Sequence, residues 1–72
     1  MFIVLEAQTN KNGVLGTLIN QYNDYNQAES KYYAILSAAA VSSLPRHAAF
    51  ILTNEGMFVK GDCYTHEDPD DE

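Results

Sequence analysis

Ser42, Ser43, Arg46 and His47 form the one stretch of this sequence where several side chains with potential chemistry stand together. Arg46 is the only arginine, and its planar guanidinium suits a phosphate or a carboxylate. His47 belongs to the residue type that titrates near neutral pH. Two interpretations stay open here. Ser43, Arg46 and His47 contact an anionic ligand or a partner, or the basic residues stabilise the negative end of a preceding helix.

A second group of residues is aromatic and amide-rich. Tyr22 and Tyr25 flank the junction between a predicted strand and a predicted helix. Four amide side chains surround this junction: Asn20, Gln21, Asn23 and Asn26. Tyrosine combines stacking area with a hydroxyl and is enriched at recognition surfaces. The patch is typical of a site that binds a base or a peptide, and equally of a well-packed rim.

Catalytic motifs are absent from the sequence. There is no G-x-S-x-G, no P-loop and no H-E-x-x-H, and the acidic residues of the body are isolated. Cys63 is the only cysteine, so neither an intrachain disulfide nor a cysteine-based zinc site is possible. We therefore predict a protein that is not an enzyme and that has no catalytic residue, metal or cofactor. Cys63 is interpreted as an inward-facing residue that behaves as a small hydrophobe.

The charge balance limits the class of partner. The chain has 72 residues, with 4 basic and 10 acidic side chains and a formal net charge of −6. Half of the acidic residues lie within positions 67–72, so the body is nearly neutral. Direct nucleic-acid binding is not expected, because affinity for nucleic acid depends mainly on lysine and arginine at phosphates. Mimicry of nucleic acid by the acidic tail is kept as an alternative.

The elements that position these residues follow from periodicity. We predict strands at 2–9, 14–22, 47–53 and 57–64, and a helix that starts at Asp24 or Asn26 and ends near Ser43, before Pro45. Asn12-Gly13 predicts a type I′ hairpin turn. The order β-β-α-β-β predicts an α+β fold, an antiparallel four-stranded sheet with one helix packed on one face. Residues 1–65 form the single domain, and 66–72 an acidic disordered tail.

Alternation within the strands predicts which side chains face the helix. In the first strand Glu6 and Gln8 occupy one set, so the other set is assigned to the core. That set is Ile3, Leu5 and Ala7. In the last strand the charges of Lys60 and Asp62 mark the solvent side, which places Cys63 inward.

The helix is apolar on more than one face, because no charged residue lies between Lys31 and Arg46. A helix that is apolar all round is buried all round, and one sheet covers only one side. We predict a homo-oligomer, dimer or higher, with an interface on the second helix face at Tyr33, Ala40, Val41 and Leu44. Two alternatives remain: alanine is simply tolerated on the surface, or the surplus packs against Phe58 and Tyr64 of a neighbouring chain.

Targeting signals are not expected. The apolar N-terminus lacks a basic region and is interrupted by Glu6. The longest nearly apolar stretch, 32–44, is shorter than the about 20 residues that a membrane span needs. We expect a cytoplasmic protein that does not enter the membrane.

The segment 26–48, NQAESKYYAILSAAAVSSLPRHA, resembles the helix of small uncharacterised proteins of bacteria and their prophages. The resemblance implies an origin in a mobile element. Small phage-encoded proteins of this size resemble accessory factors that inhibit bacterial immunity, either by masking a host protein or by oligomerising around a signalling nucleotide.

These observations lead to one hypothesis about function. The chain is a non-catalytic, homo-oligomeric binding protein, encoded by a phage or mobile element, that counters a bacterial defence system in the host cytoplasm. It does so by sequestering a small signalling nucleotide or by blocking a host protein. The alternatives are a small structural component of a virion or its assembly, and the acidic nucleic-acid mimic.

Overall fold

A computed structural model describes residues 1–66 as one sheet and one helix. The elements are β1 (Phe2–Thr9), β2 (Leu15–Tyr22), α1 (Tyr25–Ala40), β3 (Arg46–Thr53) and β4 (Phe58–Thr65). The strands lie in the order β2-β1-β3-β4, each antiparallel to its neighbour, and α1 packs across one face. The predicted α+β fold is confirmed. The predicted tail, apart from His66, lies outside the described residues.

The helix begins and ends at local signals in the sequence. Asp24 is the N-cap, and its carboxylate accepts the N–H of Asn26 at 3.0 Å. The helix ends at Ala40, about three residues earlier than predicted. The N–H groups of Val41 and Ser42 bond to carbonyls three residues back, which closes the last turn tightly. Within residues 1–66, no helix has the length and apolar character needed to cross a bilayer.

The two hairpins use the same kind of turn, and it is not the predicted type I′. Asn10 donates its N–H to Val14 at 3.1 Å across a three-residue loop, and Gly13 adopts φ +80°. Asn12 does not adopt positive φ, as type I′ requires. The Asn10 side chain accepts the N–H groups of Asn12 and Val14 instead. In the β3–β4 hairpin, Gly56 takes the equivalent position at φ +86°.

The core lies between α1 and one face of the sheet, which we name the covered face. Its buried members are Val4, Ala28, Tyr32, Ile35, Ala49 and Ile51. The prediction for β1 was wrong: Val4 faces the helix, and the set of Ile3, Leu5 and Ala7 faces the other way. Glu6 and Gln8 share the side of Val4, because His47 of β3 provides a polar partner there.

The prediction for β4 was also reversed. Cys63 is exposed and lies opposite Ala48, on the face away from the helix. Lys60 lies opposite the buried Ile51 on the covered face, where Glu29 of the helix binds its ammonium group. A register shift at the start of β4 accompanies this arrangement. Charge therefore marked the side of β4 that has ionic partners, not the side that faces solvent.

Candidate functional site

The face of the sheet away from α1 has no covering layer among the described residues, and we name it the open face. Its large apolar side chains are Ile3, Leu5, Leu15, Ile19, Phe50, Leu52 and Phe58. Leu15, Ile19 and Phe58 are 61%, 60% and 64% exposed. Arg46, at the start of the inner strand β3, is the only charged residue of residues 1–66 that faces this side within the strands. A contiguous apolar surface of this kind is typical of an interaction site.

A glycine in β4 widens the aromatic part of the open face. A Cβ atom built on Gly61 would lie 2.4 Å from Cδ1 of Phe50 and 3.0 Å from Cε2 of Phe58. The two rings thus occupy the space above Gly61, which only a residue without a side chain leaves free. The result is an aromatic surface that extends from β3 to the edge of the sheet.

The predicted helix interface is accessible but offers smaller side chains. Val41 is 87% exposed and Tyr33 is 53% exposed, while Ala40 is exposed and Leu44 half-buried. The role of these four residues in assembly stays a prediction. Sequence reasoning named the outer face of the sheet only as an alternative contact, through Phe58 and Tyr64, and Tyr64 lies on the covered side opposite His47. The apolar residues on both sides of β2 were the available signal for the rest of the open face.

The predicted ligand residues do not come together within one chain. Arg46 and His47 are consecutive in β3, so their side chains point to opposite faces. Arg46 is exposed at the open face, and His47 is buried on the covered face. Tyr22 pairs with Phe2 at the other end of β1, seven residues from the rung of Arg46, or about 23 Å.

Ser43 and Tyr25 are likewise separate from each other. Ser43 is exposed in the connection between α1 and β3. Tyr25 begins α1 at the opposite end of the helix, where its ring contacts the ring of Phe2 edge to face at 5.2 Å. Any site that unites Ser43, Arg46 or His47 with the tyrosines therefore needs a second chain.

Under the C-terminal half of α1 lies a hydrogen-bonded cluster of polar side chains that sequence reasoning did not find. Nε2 of His47 lies 2.5 Å from Oε2 of Glu6, and Gln8 donates to the same oxygen at 2.7 Å. The side chains of His47 and Glu6 are mostly shielded from solvent, with exposures of 5% and 13%. His47 Nδ1 is buried without a hydrogen-bond partner among the described residues. The cluster thus carries one unsatisfied polar atom, which costs stability.

The carboxyl group of Glu6 is ionised at neutral pH. Burial by itself raises the pKa of Glu6, but the hydrogen bonds from His47 and Gln8 outweigh it, and the pKa lies below its usual value. Lys31 adds a favourable charge at longer range. Because an ionised carboxylate only accepts, Nε2 of His47 carries the proton in this contact. Glu6 and His47 therefore hold β1 and β3 together beneath the helix.

The C-terminus of the helix is capped by His66 rather than by Arg46. Nε2 of His66 lies 2.8 Å from the carbonyl oxygen of Ala39, and the His66 N–H donates to Pro45 at 2.8 Å. The ring also stacks on that of Tyr64. No basic residue lies in the last turn of α1. The capping interpretation of the Arg46 region was therefore assigned to the wrong residue, and His66 is held against the body.

A second cluster joins α1 to the edge strand β4. Lys60 Nζ donates to Oε2 of Glu29 at 2.8 Å, and the hydroxyl of Tyr25 donates to the same oxygen at 3.0 Å. Hydrogen bonding to Lys60, then to Tyr25, lowers the pKa of Glu29, and the carboxylate raises the pKa of Lys60. The ammonium also lies within 5.4 to 5.9 Å of the ring centres of Tyr25, Tyr32 and Tyr33. This cluster clamps β4 to the helix.

A cleft lies between α1 and β2, and Tyr22, one of the predicted ligand residues, lines it. It has a volume of about 460 Å³, and its lining residues are Tyr22, Gln27, Ser30, Lys31 and Ala34. Tyr22 contributes a ring and a hydroxyl, and Lys31 a cation that takes part in no ion pair among residues 1–66. The cleft is shallow and open to solvent, so it covers a bound ligand less than an enclosed site of this volume does. The chemistry fits a ligand with an aromatic and an anionic part.

Comparison with known proteins gives no assignment. No protein-family model matches the chain, and neither a curated protein nor a solved structure matches it. The functional argument therefore depends on the geometry described above.

Proposed function

We propose that this chain is a non-catalytic, homo-oligomeric binding protein whose copies pack together through the open face. The observation that carries the proposal is the set of large apolar side chains left uncovered on that face. A domain this small buries only about 60% of its unfolded surface and is marginal without additional support. The single cysteine excludes an intrachain disulfide as that support. Association supplies it by burying the open face.

The dimensions of the open face can be compared with those of a dimer interface. Strands of eight residues at about 3.3 Å each, four strands wide at about 4.8 Å spacing, give about 500 Å² in plan. Projecting side chains raise the accessible area above the area in plan. Standard interfaces bury about 800 Å² on each partner. In plan the open face is smaller than a standard interface, so a contact through this face lies at the small end of specific interfaces.

The charge distribution favours a second copy as the occupant. A two-fold contact brings the same patch of both chains together, so charges within the patch meet their own copies. Within residues 1–66, Arg46 is the only charged strand residue on the open face, and it lies at the end of the inner strand β3, where it remains at the rim of such a contact. A partner selected by charge would find no matching charges on the rest of this face.

The ligand of the proposed binding protein is a small nucleotide, and its site is the cleft between α1 and β2. Tyr22 provides a stacking surface for a base, and Lys31 provides the cation for a phosphate. Together with the resemblance of 26–48 to small prophage proteins, this supports the proposal of a factor that sequesters a signalling nucleotide in the bacterial cytoplasm. Blocking of a host defence protein is the alternative within the same class.

Light scattering tests the assembly surface. We expect the wild-type chain to be larger than a monomer at micromolar concentration. Phe58→Glu places unpaired charge on the open face and reduces the mass, whereas Val41→Glu, the matched change on the helix, leaves it unchanged. A monomeric wild type contradicts the proposal. Dissociation by Val41→Glu alone moves the contact to the predicted helix interface at Tyr33, Ala40, Val41 and Leu44.

A thermal-shift screen with cyclic and linear nucleotides tests the ligand. A nucleotide at a hundredfold excess over its Kd stabilises the native state by about 2.7 kcal/mol. Lys31→Met abolishes the shift if the cleft is the site. Arg46→Lys abolishes it only if the ligand lies at Arg46, because lysine does not reproduce the bidentate geometry of the guanidinium. No shift with any nucleotide contradicts sequestration and favours the host-protein alternative.

A further inference from the structure

The two edge strands of the sheet differ in how they are protected from pairing with another strand. β4 carries the charged residues Lys60 and Asp62, and its pairing with β3 shifts in register between Ile51 and Leu52. In addition, the N–H of Cys63 donates to the carboxylate of Asp62 at 2.8 Å. Charges, irregular register and occupied backbone donors are the devices by which proteins prevent pairing at an edge. β4 is a protected edge.

β2 has none of these devices. Its eight residues, Leu15–Tyr22, include no charged residue and no proline. It pairs with β1 over eight consecutive rungs without a register shift, so it is long and regular. Among residues 1–66, no strand pairs with its outer side. A long, regular and uncharged edge is a template for pairing with another strand.

The hairpin geometry shows which backbone groups of β2 face outward. Asn10 and Val14 are joined by a backbone hydrogen bond at the loop. Because bonded and non-bonded pairs alternate along an antiparallel ladder, the even-numbered residues of β2 bond to β1. The outward N–H and C=O groups belong to Leu15, Thr17, Ile19 and Gln21. The side chains of these same residues lie on the open face.

We infer that β2 pairs antiparallel with β2 of a second copy, which joins two sheets into one continuous eight-stranded sheet. When a strand pairs with its own copy about a two-fold axis, any charged residue lies near the same charge of the other copy and is repelled. β2 has no charged residue, so its pairing meets no such repulsion. Directly opposite residues share a face, so the two open faces join on one side and both helices lie on the other. The copies of Ile19 meet near the two-fold axis.

This inference rests on the proposed homo-oligomer and adds a second kind of contact to it. Contact through the open face and contact through the β2 edge have different two-fold axes. If the two axes intersect at right angles, the two contacts generate a closed assembly of four chains. Loss of either contact leaves pairs of chains, so the two contacts can be tested separately.

Two proline variants test the edge, with mass in solution as the readout. Thr17→Pro removes an outward N–H of β2, and Thr65→Pro removes an outward N–H of the protected edge β4. Both residues are exposed threonines with side chains on the open face, and proline is tolerated at edges. We expect Thr17→Pro to halve the mass and Thr65→Pro to keep the wild-type mass. Equal masses for both folded variants would overturn the inference.

Amide hydrogen exchange on the wild-type chain gives a test that no variant can confuse by misfolding. We expect the amides of Thr17 and Ile19 to exchange about tenfold or more slowly than the outward amide of Thr65. Rapid exchange of Thr17 and Ile19 in an assembled protein overturns the edge contact and leaves the open-face contact intact. Phe58→Glu should reduce the mass in solution. If the amide of Thr17 stays protected from exchange in this smaller assembly, the two contacts are independent.

Discussion

The covered face and the open face belong to the same four strands, yet the polar residues lie mainly on the covered one. Glu6, Gln8 and His47 lie beneath the helix, as does Lys60 near its N-terminal half. The open face has Arg46 as its one strand charge within residues 1–66. On the covered face, the helix and the neighbouring strands provide polar partners for these side chains. The apolar side chains of the open face need no such partners. Polarity along a strand therefore separated the two faces but did not show which one is buried.

A matched pair of isoleucines tests this comparison with the largest expected effect. Ile51 is fully buried on the covered face, and Ile19 is 60% exposed on the open face. Ile51→Ala should lower the free energy of unfolding by about 2–5 kcal/mol, because it removes contacts and leaves a cavity. That loss is comparable to the whole stability of a domain of this size. Urea unfolding provides the measurement.

Ile19→Ala is the control for that measurement, and it also tests whether the open face is buried in the assembled protein. In the dissociated chain it should change the free energy of unfolding by less than about 0.5 kcal/mol. In the assembled protein the cost should rise with concentration, because Ile19 is then buried against a second copy. A small cost for Ile19→Ala at every concentration would indicate that the open face stays exposed.

Two glycines in the edge strands provide a second, smaller contrast. Gly61→Ala places a methyl group against Phe50 and Phe58, so a ring must move, at a cost of about 1–3 kcal/mol. Gly16→Ala meets only the carbonyl oxygen of Gln8, at 4.0 Å, and should be neutral or stabilising by up to about 1 kcal/mol. Melting temperatures of both variants decide the matter. Equal effects would mean that the rings are free to leave Gly61.

Acid should lower the free energy of unfolding through Glu6, which lies on the covered face. The pKa of Glu6 is lower in the folded chain than its usual 4.5, so its ionised form stabilises the fold. This contribution is complete above about pH 4.5 and is lost as the pH falls through the folded pKa. Glu6→Gln should cost about 1–3 kcal/mol at pH 7 and make stability less dependent on pH in the acid range. An unchanged acid transition in Glu6→Gln would assign it to other carboxylates.

Glu29 is the matched carboxylate for that experiment and should give the smallest effect. Its pKa is also lowered, chiefly by Lys60, but it lies at the accessible rim of the covered face. Glu29→Gln should therefore change the melting temperature slightly, and added salt should remove the difference. The effect of Glu6→Gln should persist in salt because that pair is shielded. A salt-independent loss in Glu29→Gln would place its pair with Lys60 among the shielded ones.

Local signals account for the part of the fold that could be predicted. β1 has the predicted bounds, β2 and β3 each differ by one residue at the start, and β4 is shifted by one residue at both ends. Asp24 is one of the two predicted helix starts. These features depend on neighbours in the chain: capping groups, proline, glycine and side-chain periodicity. The helix end was predicted too late because the tight closure at Val41 and Ser42 leaves no mark in composition.

Contacts between distant residues account for the part that could not. Glu6 and His47 are separated by 41 positions, and Glu29 and Lys60 by 31. His66 reaches back 27 positions to Ala39. Each of these pairs joins elements whose relative placement no local pattern specifies, so the two clusters and the helix cap were not found in advance.

The sequence alone determined the element types, their order and the positions of the turns, because those depend on propensities that act over a few residues. It also determined that the chain carries more apolar surface than one helix and one sheet face can bury. Only the tertiary structure decided which side of the sheet the helix covers. An alternating strand has two faces that differ by a shift of one residue, and the choice between them rests on the total packing and ion pairing of the assembled elements. That choice placed His47 inside, left Arg46 on the open face at the end of β3 and exposed the apolar face on which the proposed assembly depends.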